Sequence, residues 1–511
     1  MKTHLSFHSI SLPFTPFHSL IIVALFSFQF SISHAQQPDA VYKTILHEWT
    51  LNADGTSDYH YRHEVQILRN SALTAYADKG ETFVVYNPDL EDLTINEVYT
   101  RRLDGSRVEM PQNAFVYQLP SECADCGRFN HFRELAMVHT GMELGCIIVV
   151  DYTIHRQYSL LNESIPLERE CPVEKLVVKV NYNHNDTEVR YNISGSQYLP
   201  ENSVTRSESI ETGDMSQQLL YTFVNMPQAP REPYMPADII PTLRLFNGVP
   251  QFTPEFNQDK LPEAHNTSAY LLTGETFKSI TAIRDFVVDD IHLNDIHPSH
   301  LGYTHATAAE VWRSGCGTAT DKAVLLAAML NNESYSARVI GDNMDEVGVI
   351  VDTLEYRLDV RRKNAPELIG KAIDEVQKID RRQEVAAVLD TLPDGFFTLR
   401  IAQPSPDALP DARYLTTMRT TPLRSVACDI QSNTTYTLPK GVKLVGGKIS
   451  RKLSFDGIGS VEISVKQSGS KIKVVQNLKL DKSLIPVNEY DSFRQLMVTW
   501  QSVGSLLLRS K

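Results

Sequence analysis

The chain of 511 residues has no histidine after His305, no basic tract, and only three tryptophans and six cysteines. Its formal net charge is −13, which argues against nucleic acid or an anionic membrane as the main partner. No segment beyond residue 35 is apolar enough to cross a membrane, so no transmembrane anchor is expected in the mature chain. The sequence also lacks internal repeats, which excludes repeat architectures. Hydrophobic residues (42%) and charged residues (22%) occur in proportions typical of a soluble globular protein.

The first 35 residues have the pattern of a secretory signal peptide. Lys2 precedes an apolar run that starts at Leu20, and Ser33 and Ala35 supply the small residues that a signal peptidase recognises. We therefore predict cleavage after Ala35 and an exported protein, located in the periplasm or at the cell surface. No cysteine follows the cleavage site directly, so a lipoprotein anchor is not expected.

Disulfides are expected in an exported chain, because they persist in oxidising compartments. The candidates are Cys123, Cys126, Cys146, Cys171, Cys316 and Cys428. Cys123 and Cys126 form a C-A-D-C motif, for which a local disulfide is the first prediction. Free thiols are one alternative, and a zinc site completed by His131, His139 or Cys146 is another. The spacing matches no standard zinc module, so no metal site is predicted.

Residues 36–245 have the turn signals and apolar alternation of an antiparallel β-sandwich. Residues 52–55 and the dipeptide Asp104-Gly105 predict tight turns between strands. Residues 143–154 predict a strongly buried strand. Nothing in this region groups acids, bases and nucleophiles as an active site would.

A proline-rich stretch between residues 227 and 254 separates this region from a central α+β unit at residues 246–428. Apolar residues at helical spacing predict a helix within residues 277–291, and a second short helix is predicted at residues 306–313. Strands are predicted at residues 336–341 and 347–352.

The rest of the chain is organised around residues 314–330, where a glycine turn leads into eight consecutive apolar residues. A helix that is apolar on every side is a buried one. Thr318 or Thr320 can cap its start, and Asp321 suits its first turn. Cys316 lies just before the positive end of this helix, where a thiolate is favoured.

The remaining sequence returns to β structure after a charged segment. Residues 365–390 carry charges of alternating sign, and we predict a solvated helix there. Residues 429–511 predict a small β domain that closes with an amphipathic helix at residues 493–508. The fold class is therefore α+β and multidomain, with a β-sandwich, an α+β core and a small C-terminal β domain.

Several residues of the central stretch follow a known family pattern. They are Arg313, Asp321-Lys322-Ala323, Leu325-Leu326, Met329-Leu330 and Ala337-Arg338-Val339. In this order they resemble the core of the transglutaminase-like superfamily, a papain-like fold with a pattern such as R-x-G-D-C-K-D-K-A-x-L-L-x-A-L-L followed by A-R-V. Asp104-Gly105 and residues 141–145 resemble the uncharacterised domain that precedes such cores in secreted and periplasmic bacterial proteins. The C-terminal segment resembles the small domain that follows them.

The resemblance also implies where the family's chemistry would lie. In active members a cysteine at a helix N-terminus attacks an acyl carbon, a later histidine moves the proton, and an aspartate orients the histidine. Alignment on Asp321 places the cysteine position at Ala319, and the family's Gly-Asp pair falls on Gly317 and Thr318. A methyl group cannot act as a nucleophile, and no histidine follows Cys316. The resemblance thus implies a degenerate site with no catalytic residue.

A three-residue shift of register would place Cys316 at the helix start. An upstream histidine such as His305 or His300 would then be the base, so Cys316 and His305 are the fallback catalytic candidates. A small buried thiol in a tight turn is the favoured interpretation of Cys316. The four histidines between residues 292 and 305 could suggest a metal site, but loop histidines are more often surface residues.

These observations favour an exported, non-catalytic protein that binds or scaffolds a peptide, glycan or protein partner without a cofactor. The alternative is an active cysteine amidase, protease or transglutaminase-like enzyme that uses Cys316 with an upstream histidine. A third hypothesis is a structural adaptor whose cleft is filled by side chains. Asn-x-Ser/Thr sequons are interpreted as chance in a chain of bacterial appearance; they start at Asn162, Asn185, Asn192, Asn266, Asn332 and Asn433.

Overall fold

The structure is a computed structural model. It describes residues 38–75, 83–183, 187–210, 216–236, 239–248, 279–341, 347–352, 356–361, 367–368, 376–404, 406 and 409–510. The predicted signal peptide at residues 1–35 and the prolines at 250 and 254 lie outside these residues. Within the described part, no helix is both long enough and apolar enough to cross a membrane. The molecule is multidomain, as the sequence predicted, and it is predominantly β rather than evenly α+β.

The first module covers residues 38–248, and its described residues form strands, one short α-helix and a few 3-10 turns. Its elements are β1 (Ala40–Leu51), β2 (Ser57–Ile67), α1 (Asn70–Ala75), β3 (Phe83–Tyr86), β4 (Glu91–Arg101), β5 (Arg107–Glu109), β6 (Phe115–Gln118), β7 (Arg133–Met137), β8 (Ile147–Arg156), β9 (Asn162–Pro166), β10 (Val173–Asn183), β11 (Arg190–Ser194), β12 (Val204–Ile210), β13 (Ser216–Met226) and β14 (Thr242–Phe246). Among the described residues these strands form an eight-stranded sheet, β12-β13-β10-β1-β2-β8-β4-β5, and two three-stranded sheets, β11-β14-β9 and β3-β7-β6.

The two small sheets pack on one face of the large sheet and share its core. Val65, Ile148 and Val178 of the large sheet lie in one apolar cluster with Leu135 of β7 and Leu243 of β14. This arrangement supports the predicted sandwich. The large sheet is not purely antiparallel, however, because β1 runs parallel to β10. The β1–β2 hairpin and the antiparallel β10–β13 pair lie side by side here, and turn signals in the sequence do not reveal such long-range strand pairing.

The central module covers residues 279–368 and surrounds one buried helix. Its elements are α2 (Ile280–Asp289), β15 (His292–Leu293), α3 (Ala308–Ser314), β16 (Cys316–Gly317), α4 (Ala319–Asn332), β17 (Ala337–Gly341), β18 (Val347–Val351), β19 (Tyr356–Asp359) and β20 (Glu367–Leu368). Helix α4 is buried on every side from Ala319 to Leu330 and packs against α2, α3, β17 and β18. The helices and strands predicted for this region are confirmed.

The third module covers residues 376–510 and contains a second β core. Its elements are β21 (Gln377–Ala386), β22 (Leu389–Thr391), β23 (Phe396–Arg400), β24 (Leu423–Arg424), β25 (Cys428–Thr437), β26 (Val442–Leu444), β27 (Ile449–Phe455), β28 (Gly459–Ser468), β29 (Lys471–Leu480), β30 (Leu484–Ile485), α5 (Tyr490–Gln501) and β31 (Ser505–Ser510). The described strands form the sheets β21-β25-β29-β28-β27 and β22-β23-β31-β26 and the pair β24-β30. Phe493, Leu496 and Trp500 of α5 enter the same apolar core.

Three predictions for this region were wrong. The predicted boundary at residue 428 falls at the start of β25, which pairs in parallel with β21, so the third module begins near residue 376. The described part of the predicted helix at residues 365–390 contains strands β20, β21 and β22. The predicted helix at residues 493–508 ends at Gln501, because Leu506 and Leu508 alternate into the core as part of β31.

Part of the proline-rich stretch ties the first module to the third. The Glu232 carboxylate accepts hydrogen bonds from the backbone N–H groups of Thr420 (2.7 Å) and Thr421 (3.0 Å). The Tyr234 hydroxyl accepts from the Asp411 backbone N–H at 3.1 Å. The buried Arg419 guanidinium donates to the Pro233 carbonyl at 2.6 Å. Residues 231–236 of the predicted boundary therefore form a strap, a short irregular segment that lies on the surface of the third module.

Candidate functional site

A tight turn brings the chain to the start of α4, where the family resemblance places a nucleophile. Helix α3 ends at Gly315, which has φ 67°, a conformation that glycine adopts without steric cost. The next two residues, Cys316 and Gly317, pair in parallel with β15. The Thr318 side chain then caps α4 by accepting from the Asp321 backbone N–H. The predicted cap is therefore Thr318, and Ala319 is the first residue of the helix.

Asp321 is fully buried and serves as the polar centre of this turn. Its Oδ1 accepts from the Ala306 backbone N–H at 2.7 Å, and its Oδ2 accepts from the Thr318 backbone N–H at 2.9 Å. Arg128 of the first module lies 3.3 Å from the same Oδ2. A Cβ at Gly317 would lie 2.6 Å from the Asp321 Cβ, which explains the glycine. The carboxylate is thus fully used in holding the turn together.

Lys322 has an equally structural position. Its side chain is 1% exposed, and its Nζ donates to the carbonyls of Ile291 (2.8 Å) and Val288 (3.3 Å). These carbonyls lie at and just beyond the C-terminal end of α2, where backbone carbonyls have no partner within the helix. The Lys322 ammonium group supplies the missing hydrogen bonds. Burial is the main reason that the pKa of Lys322 falls to about 8, and the charge of Arg361 adds to this effect. Both residues of the Asp-Lys pair therefore make buried contacts that stabilise the module.

A segment of the first module covers the helix start. In this covering segment (residues 121–132), Cys126 forms a disulfide with Cys316 across a Cα–Cα distance of 6.0 Å. The Asn294 side chain donates to the Glu122 carbonyl at 2.7 Å. The disulfide lies in a buried apolar cluster with Cys123, Phe129, Phe132 and Ile296. In this cluster Cys316 is 1% exposed. Ala319 is 4% exposed and lies in the apolar core of the central module itself.

The predicted Cys123–Cys126 disulfide was wrong. Cys126 is bonded to Cys316 instead, and Cys123 is a free, buried thiol. Burial raises the pKa of Cys123 to about 11, and the nearby charge of Glu122 contributes. The bond joins residues separated by 190 positions, so short-range spacing could not indicate it. It also means that Cys316, the fallback nucleophile, has no free thiol in this structure.

Three histidines of the central module contact the first module or their own loop. His305 Nδ1 donates to the Ala306 carbonyl at 3.0 Å. His297 Nδ1 lies 2.7 Å from the Ser299 hydroxyl, and His300 Nδ1 lies 2.7 Å from Glu91 Oε2. Within the described residues, no three or more His, Cys, Asp or Glu side chains are arranged to hold a metal ion.

Sequence reasoning missed the buried polar cluster around Glu91. The Glu91 carboxylate accepts from the Asn87 backbone N–H at 2.8 Å and from Arg156 Nε at 3.1 Å, in addition to its contact with His300. Burial raises the pKa of Glu91, but the charges of His300 and Arg156 outweigh it, and the pKa lies below its usual value. Glu91 and Arg156 face each other in adjacent strands, a pairing that the sequence could not reveal.

The same interface contains tyrosines that join the two modules. The Tyr158 hydroxyl donates to the Ser299 carbonyl, and Tyr303 lies 3.3 Å from Glu163. The Asn87 side chain donates to the His300 carbonyl at 2.7 Å. These contacts fix the histidine-containing loop onto the sandwich. The loop is therefore an interface between modules and not a separate site.

Comparison with known proteins identifies both flanking modules. Residues 53–221 match the family described as "Domain of Unknown Function with solved-structure structure (DUF3857)". Residues 401–505 match a second family with the same description, DUF3858. None of the curated proteins compared matches the chain.

One solved structure shares the architecture of nearly the whole chain. It is described as "a putative protease" from Parabacteroides distasonis ATCC 8503, with 25% sequence identity and a TM-score of 0.72 over 92% of this chain and 99% of that chain. Two M1 zinc metallopeptidase structures from Deinococcus radiodurans are 11% identical, with TM-scores of 0.19 and 0.20. They cover 50% and 57% of this chain and 54% and 64% of their own. Segments that match DUF3857 and DUF3858 therefore lie on either side of the central module, in an architecture similar to that of the Parabacteroides protein.

Proposed function

We propose that this chain is an exported, non-catalytic member of the transglutaminase-like superfamily that binds or scaffolds a peptide, glycan or protein partner. The observation that supports this most strongly is the covered helix start. The Cys316 sulfur is bonded to Cys126, and Ala319, in the nucleophile position, is 4% exposed.

The arrangement of the central module supports the transglutaminase-like assignment. A buried helix follows a glycine turn and is itself followed by antiparallel strands β17 and β18, in the order that the resemblance implies. Asp321 and Lys322 of the shared D-K-A motif both make buried structural contacts. A scaffold can retain these residues after its chemistry is lost, because the helix needs them to fold.

Nucleophilic catalysis requires an accessible thiolate and a base within hydrogen-bond reach. The sulfur of Cys316 is in a disulfide and cannot ionise, and Ala319 offers a methyl group. No histidine follows Cys316 in the sequence. Each requirement of the family's reaction is therefore unmet at this helix start.

The contacts between modules support a scaffold role. The first module is bonded covalently to the central module through Cys126 and Cys316, and the buried cluster around Glu91 adds polar contacts. The strap at residues 231–236 ties the first module to the third. Three modules held in one arrangement can present surfaces to a partner in a fixed geometry, which lowers the entropy cost of binding.

A second candidate is a peptide hydrolase, because the Parabacteroides structure of the same architecture is described as a putative protease. This function would require Cys316 to be released from its disulfide and to meet a base such as His305. It would also require the covering segment to move, since it buries the helix start.

Activity measurements on the purified protein distinguish the two functions. We expect neither hydrolysis of fluorescent casein nor incorporation of dansylcadaverine, with or without a mild reductant, because no nucleophile and base are paired at α4. Cys316→Ser is the test variant, and Cys428→Ser, at a buried thiol of the third module, is the matched control. Turnover that is lost in Cys316→Ser and retained in Cys428→Ser would refute the proposal.

The disulfide supports export, since such bonds persist outside the cytosol. We expect the mature chain to start at Gln36, and intact-mass measurement of protein recovered from its native compartment checks this. A chain that keeps residues 1–35 and remains in the cytosol would contradict export.

A further inference from the structure

Three cysteines meet where the covering segment contacts the central module. Cys123, Cys126 and Cys316 are all buried in one apolar cluster, with Phe129 and Phe132 beside them. Two of these cysteines form the disulfide, and Cys123 retains its thiol. A thiol held beside a disulfide in a water-poor cluster is an arrangement from which thiol–disulfide exchange can start.

The backbone brings Cys123 within bonding range of Cys126. The Cys126 backbone N–H donates to the Cys123 carbonyl at 3.4 Å, which closes a four-residue turn. The ends of such a turn lie within about 7 Å. Disulfides span Cα–Cα distances of roughly 4.4–6.8 Å, so a Cys123–Cys126 bond requires little movement of the chain.

We infer that the Cys126–Cys316 disulfide exchanges with Cys123 and that this exchange releases the covering segment from its covalent bond to the helix start. Local opening of the covering segment admits water, which takes the proton of the Cys123 thiol, and the thiolate then attacks the Cys126 sulfur. The Cys123–Cys126 bond forms as the Cys126–Cys316 bond breaks, and Cys316 leaves as a thiolate that takes up a proton. One disulfide and one thiol are present before and after, so no oxidant or reductant is consumed.

The exchange changes how the covering segment is held. Before exchange it is bonded to Cys316, and after exchange it keeps the Arg128–Asp321 ion pair and the Asn294 hydrogen bond to Glu122. These non-covalent contacts can open and close, whereas the disulfide cannot. The two bonding patterns therefore correspond to a locked and an openable helix start, whether or not the protein is a catalyst.

The attacking group sets the expected pH dependence. Burial raises the pKa of Cys123 to about 11, so only a small fraction is thiolate at neutral pH. Below that pKa the thiolate fraction grows about tenfold for each pH unit. We therefore expect the exchange to be slow at pH 7 and about tenfold faster at pH 9 than at pH 8.

The experiment follows the bond by mass spectrometry on the full-length protein, without added reductant. Samples kept at pH 8 and pH 9 are acid-quenched at intervals, alkylated with iodoacetamide and digested with trypsin. The starting bond links the peptides at residues 108–128 and 314–322, whereas the exchanged bond lies within peptide 108–128 and leaves Cys316 alkylated. We expect the second form to grow with time at a rate independent of protein concentration.

Two variants test the role of Cys123. In Cys123→Ser, and in Cys123→Ala if the serine variant does not fold, we expect alkylation of Cys316 to slow at least tenfold. Cys428→Ser removes a buried thiol of the third module and should behave like the wild-type protein. The inference is overturned if peptide 108–128 never contains an internal disulfide after a day at pH 9. It is also overturned if Cys316 becomes alkylated equally fast without Cys123.

Discussion

Replacing Asp321 with asparagine lowers the free energy of local unfolding of helix α4 by about 4 kcal/mol. The substitution removes a buried negative charge to which three donors are directed. The carboxylate accepts from the backbone N–H groups of Ala306 and Thr318 and pairs with Arg128. An asparagine offers one acceptor oxygen and turns an NH2 group toward the other donors. The buried N–H groups and the guanidinium then lack full compensation for their lost water.

Hydrogen exchange of the α4 backbone amides measures this change locally, which suits a protein of several modules. Asp352→Asn is the matched control, since Asp352 is an exposed carboxylate of the same module, hydrogen-bonded to Ser336. We expect the control to change the α4 opening free energy by less than about 0.5 kcal/mol. Equal exchange rates in Asp321→Asn and the wild-type protein would show that Asp321 does not hold the turn.

Lowering the pH from 7 to 5 destabilises the first module by about 4 kcal/mol through two buried histidines. Burial lowers the pKa of His63 to about 4, with a further contribution from the charge of Arg169. Burial also lowers the pKa of His139 to about 4, with a contribution from His63. Because both histidines bind protons more readily in the unfolded chain, the stability they contribute is full above about pH 6.5 and falls as the pH drops toward 4. Each accounts for about 2 kcal/mol between pH 7 and 5.

Other titrating groups do not remove this pH dependence. Burial, with the charges of Arg169 and His63, holds the pKa of His47 well below its ordinary value, so His47 adds to the loss of stability as the pH falls. Glu91 has a lowered pKa, so its contribution is lost only below its ordinary value of 4.5, outside the window used. Burial raises the pKa of Glu168, so the stability that this carboxyl group contributes is lost as the pH rises, whereas the contribution of the histidines grows. Comparison of a histidine variant with the wild-type protein cancels the effect of Glu168.

Urea unfolding at pH 7 and pH 5, with His139→Leu as the test variant, measures the effect. We expect the loss of stability in the variant to be about 2 kcal/mol smaller than in the wild-type protein. His155→Gln is the control, because the His155 side chain is 44% exposed and pairs with Asp58 on the outer surface. An unchanged pH dependence in His139→Leu would contradict the assignment.

Local sequence signals identified the elements that form the candidate site. Eight apolar residues in succession predicted α4, and small polar residues before them predicted its cap, because both are decided within a few positions. The Asp104-Gly105 turn between β4 and β5 was predictable for the same reason. The strands between residues 377 and 391 were wrongly predicted as helix, although Val385, Ala387 and Leu389 alternate as in a strand. The charges between residues 365 and 384 concealed that alternation.

What the sequence did not reveal is how distant parts meet. The covering segment reaches Cys316 across 190 positions, and Arg128 reaches Asp321 across 193. The spacing of Cys123 and Cys126 does not show whether Cys126 bonds to Cys123 or to a distant cysteine, because all cysteines are chemically equivalent as partners. The burial of Cys316 beside Phe129 and Phe132 follows from this long-range contact, so whether its thiol is free could be learned only from the structure.

The central claim is that the helix start is closed by a disulfide between the covering segment and Cys316. The most direct test is a peptide map of the protein, alkylated with iodoacetamide at pH 7 immediately after isolation and digested without reductant. The account predicts peptides 108–128 and 314–322 joined by Cys126 and Cys316, with no alkylated Cys316. Rapid, stoichiometric alkylation of Cys316 in the folded protein would contradict it.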